Sequence, residues 1–241
     1  MTDIKKIYAE LELRRRKNAK RSLNEFIVHN TPQYTSPTHL KPLIDYLTKI
    51  LKGESVRLLC STPPRHGKTE TLLHFAVRYL LGNPTRRIAY ITYEAGLAES
   101  KSIIARRIAD RALLEFGEKN TQSCWSTSEG GEFYSVGVGG PLTGKGYDII
   151  IIDDPIKNAV EASSQTTRER VFDWFASVVM TRLEPQGSII VNMARWHQDD
   201  LIGKLQRLGG WEYVNIPAIQ SDGSPLWGER FTIEALNEIK K

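Results

Sequence analysis

The sequence predicts an α/β domain with a mostly parallel central sheet flanked by helices. Short apolar strands alternate with amphipathic helical stretches along the chain, the pattern of βαβ units. One strand runs straight into Thr62-Pro63-Pro64-Arg65-His66-Gly67-Lys68-Thr69, a phosphate-cradling kind of loop at the start of a helix. Another, Ile149-Ile150-Ile151-Ile152, ends in Asp153-Asp154, so two carboxylates leave a strand buried on both faces. Ligands of such sheets sit at the carboxyl ends of strands, where both motifs fall.

The elements follow in order. Residues 1–30 read as mainly helical. The stretch from Asn30 to Pro37 is turn-rich, because Pro32 and Pro37 resist helix. Thr38 to Leu51 reads as helix, Gly53 breaks it, and Val56 to Ser61 is a short buried strand. Past the loop, Leu72, Leu73, Ala76, Val77 and Leu80 recur at helical spacing from Thr69 to Leu81. Ile88 to Tyr93 is a strand, and a helix follows through about Phe116. Phe133 to Val138 and Ile149 to Ile152 are strands, and Thr166 to Leu183 is a helix. Ser188 to Met193 is a strand, Asp199 to Leu208 a helix and Trp211 to Ile216 the last strand, with one more helix near the C-terminus. The expected divisions are an N-terminal helical segment (1–55), a core (56–220) and a C-terminal linker (221–241).

The 241 residues are 40% hydrophobic and 25% charged, enough for a real core in one large domain. No apolar run is long enough to span a membrane, and the N-terminus lacks the stretch of a signal peptide. Cys60 and Cys124 cannot make a disulfide framework, which points to a reducing, cytoplasmic setting. A net charge of +5 is as compatible with a plain basic surface as with nucleic acid. The densest run, Arg14-Arg15-Arg16-Lys17 with Lys20 and Arg21, lies on a helix where Ile7, Leu11 and Ala19 form an apolar stripe. It reads as a solvated helix face.

The loop has a definite chemistry. Gly67 lets the backbone approach a phosphate, Lys68 reaches the β- and γ-phosphates, and the Thr69 hydroxyl binds magnesium. Pro64, Arg65, His66 and Glu70 complete the nucleotide-binding set; Arg65 reads either as a γ-phosphate sensor or as surface charge, and His66 shapes the loop. Thr62 stands where the usual pattern has its first glycine. Asp153 would hold magnesium, and Asp154 would orient or deprotonate the attacking water, with Glu161 and Glu129 as fallback carboxylates. The implied protein is a P-loop NTPase using a nucleotide and Mg2+.

With these residues in hand, the chain resembles the large subunit of tailed-phage terminases from about Tyr34 to Phe231. The resemblance rests on Pro63–Thr69, Leu142-Thr143-Gly144-Lys145-Gly146-Tyr147-Asp148, Ile151–Pro155, Ala194-Arg195-Trp196-His197-Gln198-Asp199-Asp200-Leu201 and Leu226-Trp227-Gly228-Glu229-Arg230-Phe231. It implies ATP as the nucleotide and a RecA-type ATPase with an extra strand between the two nucleotide motifs (the ASCE class). It makes Arg195 a γ-phosphate sensor and Thr38-His39 the adenine-side segment. Lys145 falls where the family offers an arginine in trans to a neighbouring subunit, with Arg106 or Arg107 as alternatives. It further implies double-stranded DNA, a terminase small subunit, a portal protein and a homo-oligomeric, pentameric ring as partners, in the host cytoplasm.

The family continues into a nuclease domain. The acids after Trp211 are scattered, so the chain is expected to be the ATPase portion and to cleave no DNA. Two rival readings stay open: another P-loop enzyme, such as a helicase or kinase, and a non-hydrolysing DNA-binding or scaffold module.

Overall fold

Strands buried on both faces must be covered on both sides, and this chain supplies a helical layer for each. The computed structural model describes residues 2–31, 33–34, 36–142 and 144–240, with only the backbone at residues 2–5, 19 and 240. Pro32, Thr35, Thr143 and the Ala19 side chain therefore lie outside the described residues. The strands are β1 (Arg57–Ser61), β2 (Arg87–Thr92), β3 (Phe116–Asn120), β4 (Cys124–Thr127), β5 (Glu132–Gly137), β6 (Tyr147–Asp153), β7 (Leu183–Met193) and β8 (Glu212–Asn215). Among the described residues they form one sheet in the order β3-β4-β5-β2-β6-β7-β1-β8. From β5 to β8 every pairing is parallel.

The helices are α1 (Thr2–Lys20), α2 (Leu23–Asn30), α3 (Lys41–Leu51), α4 (Lys68–Gly82), α5 (Ala95–Arg111), α6 (Ala159–Ser163), α7 (Gln165–Trp174), α8 (Leu201–Leu208) and α9 (Ile233–Lys240). One core lies under α2, α3, α4 and α5, where Phe26, Leu43, Leu47, Phe75 and Ile108 meet Leu58, Tyr90 and Ile151. The other lies under α7 and α8, where Val171, Phe175, Ile202 and Leu205 meet Leu59, Ile150 and Val191. The alternation along β6 is what sends Ile149 and Ile151 to one core and Ile150 and Ile152 to the other.

Three expectations are corrected, and one hairpin has no counterpart in the sequence reading. The helix expected to reach Phe116 stops at Arg111, because Leu113 takes a left-handed φ of 62°, and Phe116 opens β3 instead. Hairpin β3–β4 is an antiparallel edge whose first strand is polar and exposed, so it carries no apolar run to read. The helix expected to reach Leu183 passes through a π-turn (Phe175–Val179) and a 3₁₀ turn (Met180–Arg182), and Leu183 begins β7. Finally, the apolar stripe of α1 is not buried: Ile7 and Leu11 remain exposed. α1 packs against α4 and is pinned near its end, where the Asn18 amide donates to the Ala112 carbonyl at 3.3 Å.

Candidate active site

The sheet order puts β7 between β1 and β6, so the phosphate loop after β1 and the carboxylates after β6 are two strands apart. A single side chain on the intervening strand ties them together. The Thr62 hydroxyl donates to Asn192 Oδ1 at 2.6 Å, and Asn192 Nδ2 donates to Asp153 Oδ1 at 2.9 Å. All three residues are buried. Thr62, the departure from the usual loop pattern, thus anchors the loop to its partner motif.

The loop is closed by backbone that most residues avoid. Gly67 has φ 83° as the residue capping α4, and Arg65 has φ 63°. A non-glycine residue with positive φ stores strain that the surrounding contacts must hold. The Tyr34 hydroxyl donates to the Gly67 carbonyl at 3.2 Å, so a Cβ at Gly67 would run into it. Burial pushes the Tyr34 phenol up to about 12, which keeps it a neutral donor.

At the mouth of the loop the charged groups converge. Lys68 Nζ lies 2.6 Å from Asp154 Oδ1, which also accepts the Ala194 amide at 3.1 Å. The Thr69 hydroxyl donates to Asp153 Oδ2 at 2.6 Å, and the buried Tyr90 hydroxyl donates to the same oxygen at 2.7 Å. Asp154 has φ 50°, turning its carboxyl back toward the loop. Burial raises its pKa, the Lys68 ammonium opposes that rise, and the Asp153 charge adds to it. Tyr90, fully buried beside Asp153, is held far above the ordinary phenol range.

Lys68, Thr69 and Asp154 border an open cleft of about 550 Å³, whose lining also includes Pro64, Arg65, Glu70, Tyr34, Lys101 and Arg230. Burial raises the Glu70 carboxyl above its ordinary range. The donors suit a nucleotide with its metal. An ammonium and strained loop backbone face one end, and a hydroxyl and a carboxylate oxygen sit side by side. Magnesium keeps several waters and phosphate oxygens and asks few protein ligands.

The structure brings Pro64, Arg65, Gly67, Lys68, Thr69, Glu70, Asp153 and Asp154 together. His39 and His66 lie behind the loop. The His39 ring bonds the His66 carbonyl through Nε2 at 2.8 Å and stacks on Trp227, with centroids 4.3 Å apart. His66 bonds the Pro64 carbonyl at 2.8 Å and stacks on Phe231 at 4.7 Å. Burial holds both imidazoles below their ordinary range, so they pack as neutral rings. Arg195 does not border the cleft; its Nε donates to buried Asp200 at 2.8 Å. Lys145 is also elsewhere, 2.6 Å from Glu132, which pairs with Lys119 as well.

Sequence reasoning assigned no place at the site to Asn192, Tyr90 or Tyr34, and it named Trp227 and Phe231 only within a family segment. For Asn192 a signal existed: a polar side chain within the apolar run Ile189-Ile190-Val191 is an anomaly that asks for a partner.

Fold and site together define a P-loop ATPase of the class with an added strand between its two nucleotide motifs. Residues 59–238 match the model of the terminase large subunit, T4-like-virus type, N-terminal part, and the chain belongs to that family. The fold is similar to that of an alanine variant of the large terminase ATPase domain from Thermus phage P74-26. That protein is 14% identical, the match covers 76% of this chain and 83% of that one, and the TM-score is 0.51. No curated protein sequence matches the chain.

Proposed function

We propose that this domain hydrolyses ATP and couples hydrolysis to translocation of double-stranded DNA into a procapsid. The observation that carries the reading is that Lys68, Thr69 and Asp154 line one open cleft, with buried Asp153 directly behind Thr69 at 2.6 Å. Family membership supports the partners: duplex DNA, a small subunit, a portal and neighbouring copies in a ring.

In this reading Lys68 swings from Asp154 to the β- and γ-phosphates, and Thr69 and Asp153 hold magnesium. Magnesium, when bound, supplies charge neutralisation at the phosphates. Lys68 is the group that opposes the rise in the Asp154 pKa. Its departure toward nucleotide therefore makes Asp154 a better proton acceptor just when the attacking water arrives. Arg65, at the rim of the cleft, answers the γ-phosphate. Arg195 must leave Asp200 to act as a sensor, so its ion pair is the latch of that response. Lys145, if it serves a neighbouring subunit, must likewise leave Glu132.

Steady-state ATP hydrolysis against protein concentration, with and without duplex DNA and beside Lys68→Ala, tests the proposal. A Lys68-dependent rate that rises faster than linearly with concentration is expected. Nucleotide binding with no turnover at any concentration would favour a non-hydrolysing module.

A further inference from the structure

α5 separates two environments. Lys101 and Ile104 face the phosphate-loop cleft. Arg106, Arg107 and Asp110 line a second cleft of about 480 Å³, bounded by Phe116 and by Thr121 and Gln122 of the β3–β4 turn. Arg111 is shared with a third, of about 420 Å³, into which α1 and the turn before α2 bring Arg14, Lys17 and Arg21. Arg111 lines both, so the two clefts lie next to each other at the C-terminal end of α5; the pair, taken together, is the trough.

Its charge is unbalanced. Six cations line it against Asp110, the one carboxylate in either lining among the described residues. Of the six, only Arg14 has an ion-pair partner among the described residues, Glu10 at 2.7 Å. The Arg111 guanidinium is fixed by the Asn30 carbonyl at 3.0 Å, and the Arg106 guanidinium by the Phe116 ring at 5.8 Å. His29, in the same lining, is held below the ordinary imidazole range by burial and then by Arg21 and Lys17, a local report of positive potential. Concave surfaces of one sign, with cations held apart from acids, attract an anion with regularly spaced charges. From Ile103 to Arg111 the α5 axis advances about 12 Å, the rise of three to four phosphates along one strand of B-DNA at about 3.4 Å each.

We propose that this trough grips the phosphodiester backbone of duplex DNA. The inference rests on the DNA-translocating reading above and adds the surface that would do the holding. Arg14, Lys17 and Arg21 of the basic run, which reads as a solvated face in isolation, meet Arg111 at the end of α5.

The test is equilibrium binding of a short fluorescein-labelled duplex across a salt series, followed by anisotropy. Wild type is compared with Lys17→Gln/Arg106→Gln/Arg107→Gln, three exposed positions, and with a control pair, Lys49→Gln/Arg57→Gln, exposed beside α3 and β1. Melting curves establish that both variants fold. The trough variant should bind at least about tenfold more weakly, with a salt slope shallower by about 3, while the control keeps most of its affinity. Unchanged affinity and slope in the trough variant would overturn the inference and leave the trough to an acidic protein surface. Equal loss in the control pair, or no duplex binding by wild type, would also overturn it. ATP turnover by wild type without DNA reports separately on the parent reading: if it persists while the trough variant binds DNA normally, only the grip fails.

Discussion

Lys68 Nζ and Asp154 Oδ1 stand 2.6 Å apart, so the cation that the proposed mechanism gives to phosphate is already paired with the carboxylate that it gives to water. Lys68 is almost fully buried and Asp154 is partly exposed. Breaking this pair on one side leaves the other charge uncompensated, whereas nucleotide replaces one anion by another. Asp154→Asn should therefore lower turnover by about 10²- to 10⁴-fold while nucleotide binds as well or more tightly, since Lys68 no longer leaves an anion. Titration with a fluorescent ATP analogue, beside phosphate-release kinetics, checks both halves. Weaker nucleotide binding in Asp154→Asn would count against the pair as a resting lock.

The Thr62–Asn192–Asp153 chain predicts a stability effect confined to one side chain. Asn192→Leu is close in volume and leaves a buried hydroxyl and a carboxylate oxygen short of a partner. The cost should be about 2–4 kcal/mol, read from the shift of a urea midpoint. A midpoint within error of wild type would show that the bridge contributes nothing.

Gly67 and Tyr34 should behave as a coupled pair. Gly67→Ala meets both a left-handed backbone and the Tyr34 hydroxyl. Adding Tyr34→Phe removes the hydroxyl, leaving the nearest ring carbon at 3.0 Å, and should recover part of the lost stability. The recovery is partial because φ 83° still opposes alanine. Strict additivity in a double-mutant cycle would argue against direct contact.

Acid should destabilise the fold through His74. Its ring is fully buried, donates from Nδ1 to the Glu70 carbonyl at 2.9 Å and accepts the Thr31 hydroxyl at Nε2, 3.0 Å away. Burial pushes its pKa down to about 4. The unfolded chain takes up the proton near pH 6.5 and the folded chain does so only near 4, so stability is full above 6.5 and is lost as pH falls toward 4. The loss is on the order of 3 kcal/mol, at about 1.4 kcal/mol per pH unit. His39 and His66, also lowered by burial, deepen it. Urea titrations at several pH values should show the slope, and His74→Leu should flatten it.

The legible parts of the fold are those whose burial is uniform. β1, β2, β6 and the buried second half of β7 present apolar runs because helices cover both faces, and the sequence places them; the first residues of β7, Leu183 to Gln186, are half-buried or exposed and read as helix or loop. The β3–β4 hairpin escaped because an exposed edge strand such as Phe116-Gly117-Glu118-Lys119-Asn120 has the composition of a loop. Likewise, nothing local marks where α7 loosens into a π-turn before β7. In the site, Lys68, Thr69, Asp153 and Asp154 were legible because phosphate and metal chemistry restrict both residue type and spacing. Tyr34, Asn192, Trp227 and Phe231 reach the loop from remote parts of the chain, and only the sheet order brings them there.

Trp227 and Phe231 lie beyond the last strand, yet their rings rest on His39 and His66 behind the phosphate loop. Thermodynamic reciprocity then ties two distant events. If occupancy of the cleft shifts the His66 ring, it changes how firmly residues 226–231 are held, and a pull on that segment must alter nucleotide affinity by the same factor. On that condition the stacked rings make this stretch of chain a lever with two handles, occupancy of the cleft at one and the hold on residues 226–231 at the other.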